Sequence, residues 1–125
     1  MFKAIKELDK FKNYQTHYYL TQGDSCVITS TPMRNGEIVT SSDIEECKFK
    51  FADSSYEQIF AIVMTPDTSG NGTYVANITT SYTHNRTPGQ YFYEIEYKMT
   101  DGSIQTPNSW KFDILPQIRE IEFGG

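Results

Sequence analysis

The chain has 125 residues, 38% hydrophobic and 22% charged, which is the size of one domain with a core that needs no metal or disulfide staple. A net charge of −5 and a pI near 4.9 argue against a nucleic-acid binder, and no apolar run reaches the roughly 18 residues of a membrane span. Nine Tyr, eight Phe and one Trp beside only two His and two Cys indicate a β-rich protein with few groups for catalysis.

Residues 1–13 read as an N-terminal arm or short helix, with Phe2, Ile5, Leu8 and Phe11 recurring every three residues as one apolar stripe. Lys3, Lys6, Lys10 and Lys12 outweigh Glu7 and Asp9, so the arm is basic in an acidic chain. A helix this short is marginal alone, so it docks on its own domain or on a neighbouring subunit. The opening also lacks the uninterrupted 7–15-residue apolar stretch of a signal peptide, which argues against secretion by that route.

From residue 14 the hydrophobic period falls to two. A strand over 14–22 ends at Gly23 and Asp24, and the next places Cys26, Ile28 and Ser30 on one face. Asn35 and Gly36 form a turn dipeptide, since both tolerate positive φ. Cys47, Phe49 and Phe51 alternate with Glu46, Lys48 and Lys50 as a half-buried strand, whereas the apolar run 58–64 reads as a buried one. A loop over 67–72 precedes the alternation of Tyr74, Ala76 and Ile78.

The longest pattern is 90–99, with Tyr91, Tyr93, Ile95, Tyr97 and Met99 on one side and Phe92, Glu94, Glu96 and Lys98 on the other. Asp101 and Gly102 turn it into a short strand over 103–106. A last strand over 109–115 points Trp110, Phe112 and Ile114 inward and ends at Pro116. The C-terminal tail, 117–125, carries Ile118, Ile121 and Phe123 beyond the domain, and apolar residues on a tail need a surface to cover them.

Catalytic, cofactor and metal sites are not expected. His17 lies within a strand and His84 in a loop, neither in a nucleophile motif. Cys26 and Cys47 lack metal or redox spacing; facing strands of a sandwich could bring them within bridging range, but without a secretion signal buried free thiols are the favoured reading. Asp67, Ser69, Asn71 and Gly72 begin a calcium-loop pattern, but Ile78 stands where the bidentate Glu belongs, so a hairpin turn is the better reading. Glu94 and Glu96 are side by side on one strand face, not across a cleft as glycoside hydrolysis requires.

Gln22-Gly23-Asp24, Asn35-Gly36, the Lys48-Phe49-Lys50-Phe51 strand and Thr87-Pro88-Gly89-Gln90-Tyr91-Phe92-Tyr93-Glu94-Ile95-Glu96 make a set. With Asp101-Gly102-Ser103-Ile104-Gln105-Thr106 and Trp110-Lys111-Phe112-Asp113-Ile114, it resembles the immunoglobulin-like domain that opens phage baseplate upper proteins and related virion modules, over about residues 15–115. The resemblance implies an attachment role without catalytic residues. Such proteins continue into long helical or receptor-side regions, whereas this chain ends about ten residues past the domain, which favours a small free-standing component.

The expected fold is therefore an all-β, immunoglobulin-like sandwich of about seven to eight antiparallel strands over residues 14–116, with short terminal arms. The expected function is that of a non-enzymatic bacteriophage structural protein of the tail, baseplate, neck or capsid decoration. It is made in the host bacterial cytoplasm and found in the virion. Its partners are other virion proteins and copies of itself, met through Phe2, Ile5, Leu8, Phe11, Phe92, Ile118, Ile121 and Phe123. The alternative is a carbohydrate-binding or adhesion module using exposed aromatic residues such as Phe92. Neither nucleic acid nor membrane is expected as a partner.

Overall fold

The computed structural model describes residues 11–118, so the arm positions Phe2, Ile5 and Leu8 and the tail positions Ile121 and Phe123 lie outside the described residues. Nine strands occur among those described: β1 (Tyr18–Thr21), β2 (Cys26–Ser30), β3 (Met33–Arg34), β4 (Glu37–Ile38), β5 (Ile44–Ala52), β6 (Gln58–Pro66), β7 (Tyr74–Ile78), β8 (Gly89–Met99) and β9 (Ile104–Leu115). A one-turn helix, α1 (Thr80–Thr83), bridges β7 and β8.

Hydrogen bonding runs β1-β9-β8-β5-β6-β7-β2, with β3 and β4 as a separate hairpin. The ladder folds over itself because β6 changes partner along its length. Its residues up to Met64 pair with β5, and Thr65 and Pro66 pair with β7. The two halves then face each other across the core, where Tyr97 of β8 meets Ser30 of β2 and Tyr74 of β7.

Strict alternation builds that core. Tyr91, Tyr93, Ile95, Tyr97 and Met99 are all buried, as are Cys47, Phe49 and Phe51 on β5 and Tyr74, Ala76 and Ile78 on β7. A period of two puts each set on one face of its strand, where it meets the other layer. Asn35 and Gly36, with φ of 54° and 79°, close the two-residue β3–β4 hairpin. Tyr91 lies near the start of β8, and its hydroxyl donates to the Thr87 carbonyl at 2.5 Å. That contact is the tyrosine corner of immunoglobulin-like sandwiches. The fold is of that class.

Several expectations are corrected. The run 58–64 forms a strand but not a buried one: Met64 alone is buried and Val63 is 56% exposed, because a strand crossing between layers leaves one side to solvent. The strands expected at 103–106 and 109–115 are one continuous β9. Between Ile95↔Asn108 and Tyr97↔Gln105 two residues oppose one, a bulge that accommodates the buried Pro107.

Strand β1 is shorter than 14–22 and pairs with β9 in parallel, so the sheet is mixed. Phe11 is no free arm residue. It is 2% exposed, packs on Tyr97 with ring centroids 5.8 Å apart, and forms a bridge to Arg34. Trp110, expected inward, is 36% exposed beside residues 15–17, where the chain runs between its Tyr14 bridge and β1 without pairing to β9.

Candidate functional site

The outward positions of β5, β8 and β9 lie in register, with Lys50, Glu94 and Ser109 in one rank and Ala52, Phe92 and Lys111 in the next. The methyl of Ala52 is too small to fill its place between the longer neighbours. A hollow of about 420 Å³ opens there, with Gln15, Gln58 and Tyr56 on its walls and Trp110 at its side. That volume falls within the roughly 300–1,000 Å³ of small-molecule sites.

Tyr56 is placed by the loop between β5 and β6. The Asp53 carboxylate accepts hydrogen bonds from the amides of Ser55 at 2.8 Å and Glu57 at 3.0 Å, which closes the loop tightly. Tyr56 is thereby held at φ 63°, a left-handed conformation that costs a residue with a Cβ about 1–2 kcal/mol. Its ring lies over Phe92 with centroids 4.6 Å apart, yet the residue stays 73% exposed. Backbone strain here holds an aromatic face open to solvent.

The two lysines beside the hollow are held differently. Lys50 donates to Glu96 at 2.7 Å, and the Lys111 ammonium sits 5.0 Å from the centre of the Trp110 ring. Among the described residues, the side chains of Gln15, Gln58, Glu94 and Ser109 have no hydrogen-bond partner.

The nucleophilic and basic groups lie elsewhere. Both cysteines are free; burial raises the Cys26 thiol and pushes Cys47 up to about 12. Burial likewise raises the Tyr93 and Tyr97 phenols, whose hydroxyls donate to the Thr16 carbonyl and to Ser30 Oγ. His17 brings Nε2 to 3.1 Å from Asp113 Oδ2, but without the alignment of a hydrogen bond. Its other nitrogen is 3.2 Å from the Tyr19 hydroxyl, and its ring stacks on Tyr19 at 4.2 Å. His84 is exposed at the end of α1.

Of the residues singled out from the sequence, the structure brings Phe92 into the hollow, buries Phe11 in the domain's own core and leaves Ile118 90% exposed. Sequence reasoning missed Tyr56, Trp110, Gln15 and Gln58. A bulky aromatic inside the polar turn sequence Asp53-Ser54-Ser55-Tyr56-Glu57 was the available signal.

No family model matches the chain, and no curated protein matches its sequence. Among solved structures, CopC from Methylosinus trichosporium OB3b superposes with a TM-score of 0.50 at 10% identity, covering 90% of this chain and 91% of that one. The fibronectin(III)-like modules of Clostridium thermocellum CbhA give 0.48 at 14% identity, covering 89% and 100%. At these identities the likeness shows the fold alone, the immunoglobulin-like sandwich already drawn from topology.

Proposed function

We propose that this chain is a non-enzymatic structural protein of a bacteriophage particle, in the tail, baseplate, neck or capsid decoration, acting through protein–protein contacts of its sandwich and terminal arms. The motif resemblance over residues 15–115 supports the reading, and one structural observation carries it. Among the described residues the ladder is open at both ends, and each end strand exposes a large apolar side chain: Tyr19 of β1 at 61% and Val27 of β2 at 58%. Unpaired edges with apolar side chains are templates for strand addition from a neighbour. Ile118, 90% exposed where the chain leaves β9, adds to the surface available for contact.

Mass spectrometry of purified particles and sedimentation of the isolated chain test this together. The expected result is a stoichiometric particle component that self-associates or binds a particle protein, with the association weakened by Val27→Lys or Tyr19→Lys. Absence from particles, or a monomer indifferent to both substitutions and to every particle protein, overturns it.

A further inference from the structure

We propose that the hollow on the outer face of β5, β8 and β9 is a binding site for a neutral carbohydrate, seated against the exposed ring of Tyr56, with Phe92 stacked behind it and Trp110 at the side. This goes beyond the assembly role above and does not depend on it. A pyranose has one face of C–H groups and a rim of hydroxyls. The hollow offers both complements: the open aromatic face of Tyr56 for the first, and the Gln15, Gln58, Glu94 and Ser109 side chains, unpartnered among the described residues, for the second. Amides and carboxylates together can both donate to and accept from hydroxyls, as an uncharged polyol requires.

Charge selects the sugar. The Lys50 ammonium is held by Glu96, while Glu94 and Lys111 have no ion-pair partner among the described residues. The surroundings therefore carry one unpaired charge of each sign, which gives an anionic ligand such as a uronate or phosphate no net attraction, and a neutral hexose or N-acetylhexosamine chain is favoured. Preorganisation supports the assignment too. The Asp53 carboxylate, holding the Ser55 and Glu57 amides, fixes Tyr56 at φ 63° with its ring exposed, so binding need not order the loop first.

Trp110 is the chain's single tryptophan, so its fluorescence reports the hollow directly. The full chain is titrated with maltotriose, cellotriose and chitotriose, and with trigalacturonate as the acidic counterpart. The expected result is a saturable emission change with at least one neutral trisaccharide and none with trigalacturonate. Tyr56→Gly should weaken binding about tenfold, equivalent to about 1.4 kcal/mol, and Phe92→Ala should do so at least as strongly. Glycine suits the positive φ, so Tyr56→Gly keeps the fold and decides the matter even if Phe92→Ala does not. No change with any neutral trisaccharide, equal binding of trigalacturonate, or unaltered binding in Tyr56→Gly overturns the assignment. Particle composition is read separately, so either proposal can fail without the other.

Discussion

Replacing Ser30 by Ala removes one hydroxyl from the middle of a buried relay. Tyr97 donates to Ser30 Oγ at 2.7 Å, and Ser30 donates to Asn108 Oδ1 at 2.8 Å, linking β8, β2 and β9 across the core. All three residues are under 10% exposed, so water does not replace a lost partner. Ser30→Ala strands the Tyr97 hydroxyl and the Asn108 oxygen at once. An unsatisfied buried group costs about 1–3 kcal/mol. For the two groups together the expected loss is about 2–6 kcal/mol. Tyr97→Phe, by contrast, deletes a donor and leaves Ser30 still bonded to Asn108, at about 1 kcal/mol. Urea unfolding of both variants gives the comparison. Equal losses, or a Ser30→Ala midpoint at the wild-type value, refute the relay as a source of stability.

Further outcomes follow from the same packing. Gly72→Ala sets a methyl against Ile38 Cγ2 at a φ of 81°, whereas at Gly70, with φ 71°, an added Cβ meets nothing within 4 Å. Thermal melts should therefore show Gly72→Ala losing about 1–3 kcal/mol more than Gly70→Ala, the overpacking increment, and equal losses would contradict this. With Cys47 pushed up from 9.0 to about 12, its thiolate is about a thousandfold scarcer than an ordinary thiol's at neutral pH. A disulfide reagent should label the half-buried Cys26 first and Cys47 only on unfolding; rapid labelling of Cys47 would count against its burial. Tyr18, Tyr74, Tyr91, Tyr93 and Tyr97 all have phenols raised by burial above 10.0. Above that pH the folded chain holds more protons than the unfolded one, so stability is full below about pH 10 and falls as pH rises from there. Tyrosinate absorbance should appear together with alkaline unfolding, and titration of these phenols without loss of fold would refute the linkage.

Local pattern made the core strands legible. The alternations of β5, β7 and β8 and the Asn35 and Gly36 turn needed no tertiary information, because side-chain direction along a strand follows from its pleat. What depends on partners was not legible. The run 58–64 is apolar enough for a buried strand, yet β6 leaves one layer for the other, and no local period records that. The parallel direction of β1, and the bulge that joins two expected strands into β9, are likewise properties of pairing. Phe92 was read as an outward aromatic from the polar company it keeps. Its stacking partner was not, since Tyr56 is brought over it by the Asp53 carboxylate holding two amides of the loop. Phe11 fits the stripe of residues 1–13, but its contacts are with Tyr97 and Arg34, distant in the chain.

The parallel pairing of β1 with β9 has a mechanical consequence. Tyr18 to Thr21 run alongside Phe112 to Leu115 in the same direction, with Gln22 N donating to the Leu115 carbonyl at 2.8 Å just beyond. The chain enters at one end of this short ladder and leaves at the other. Tension between entry and exit therefore acts along the strands, and the hydrogen bonds are loaded in shear, all at once, instead of opening one after another like a zip. A domain tethered at both ends in this way resists pulling better than its equilibrium stability alone would suggest.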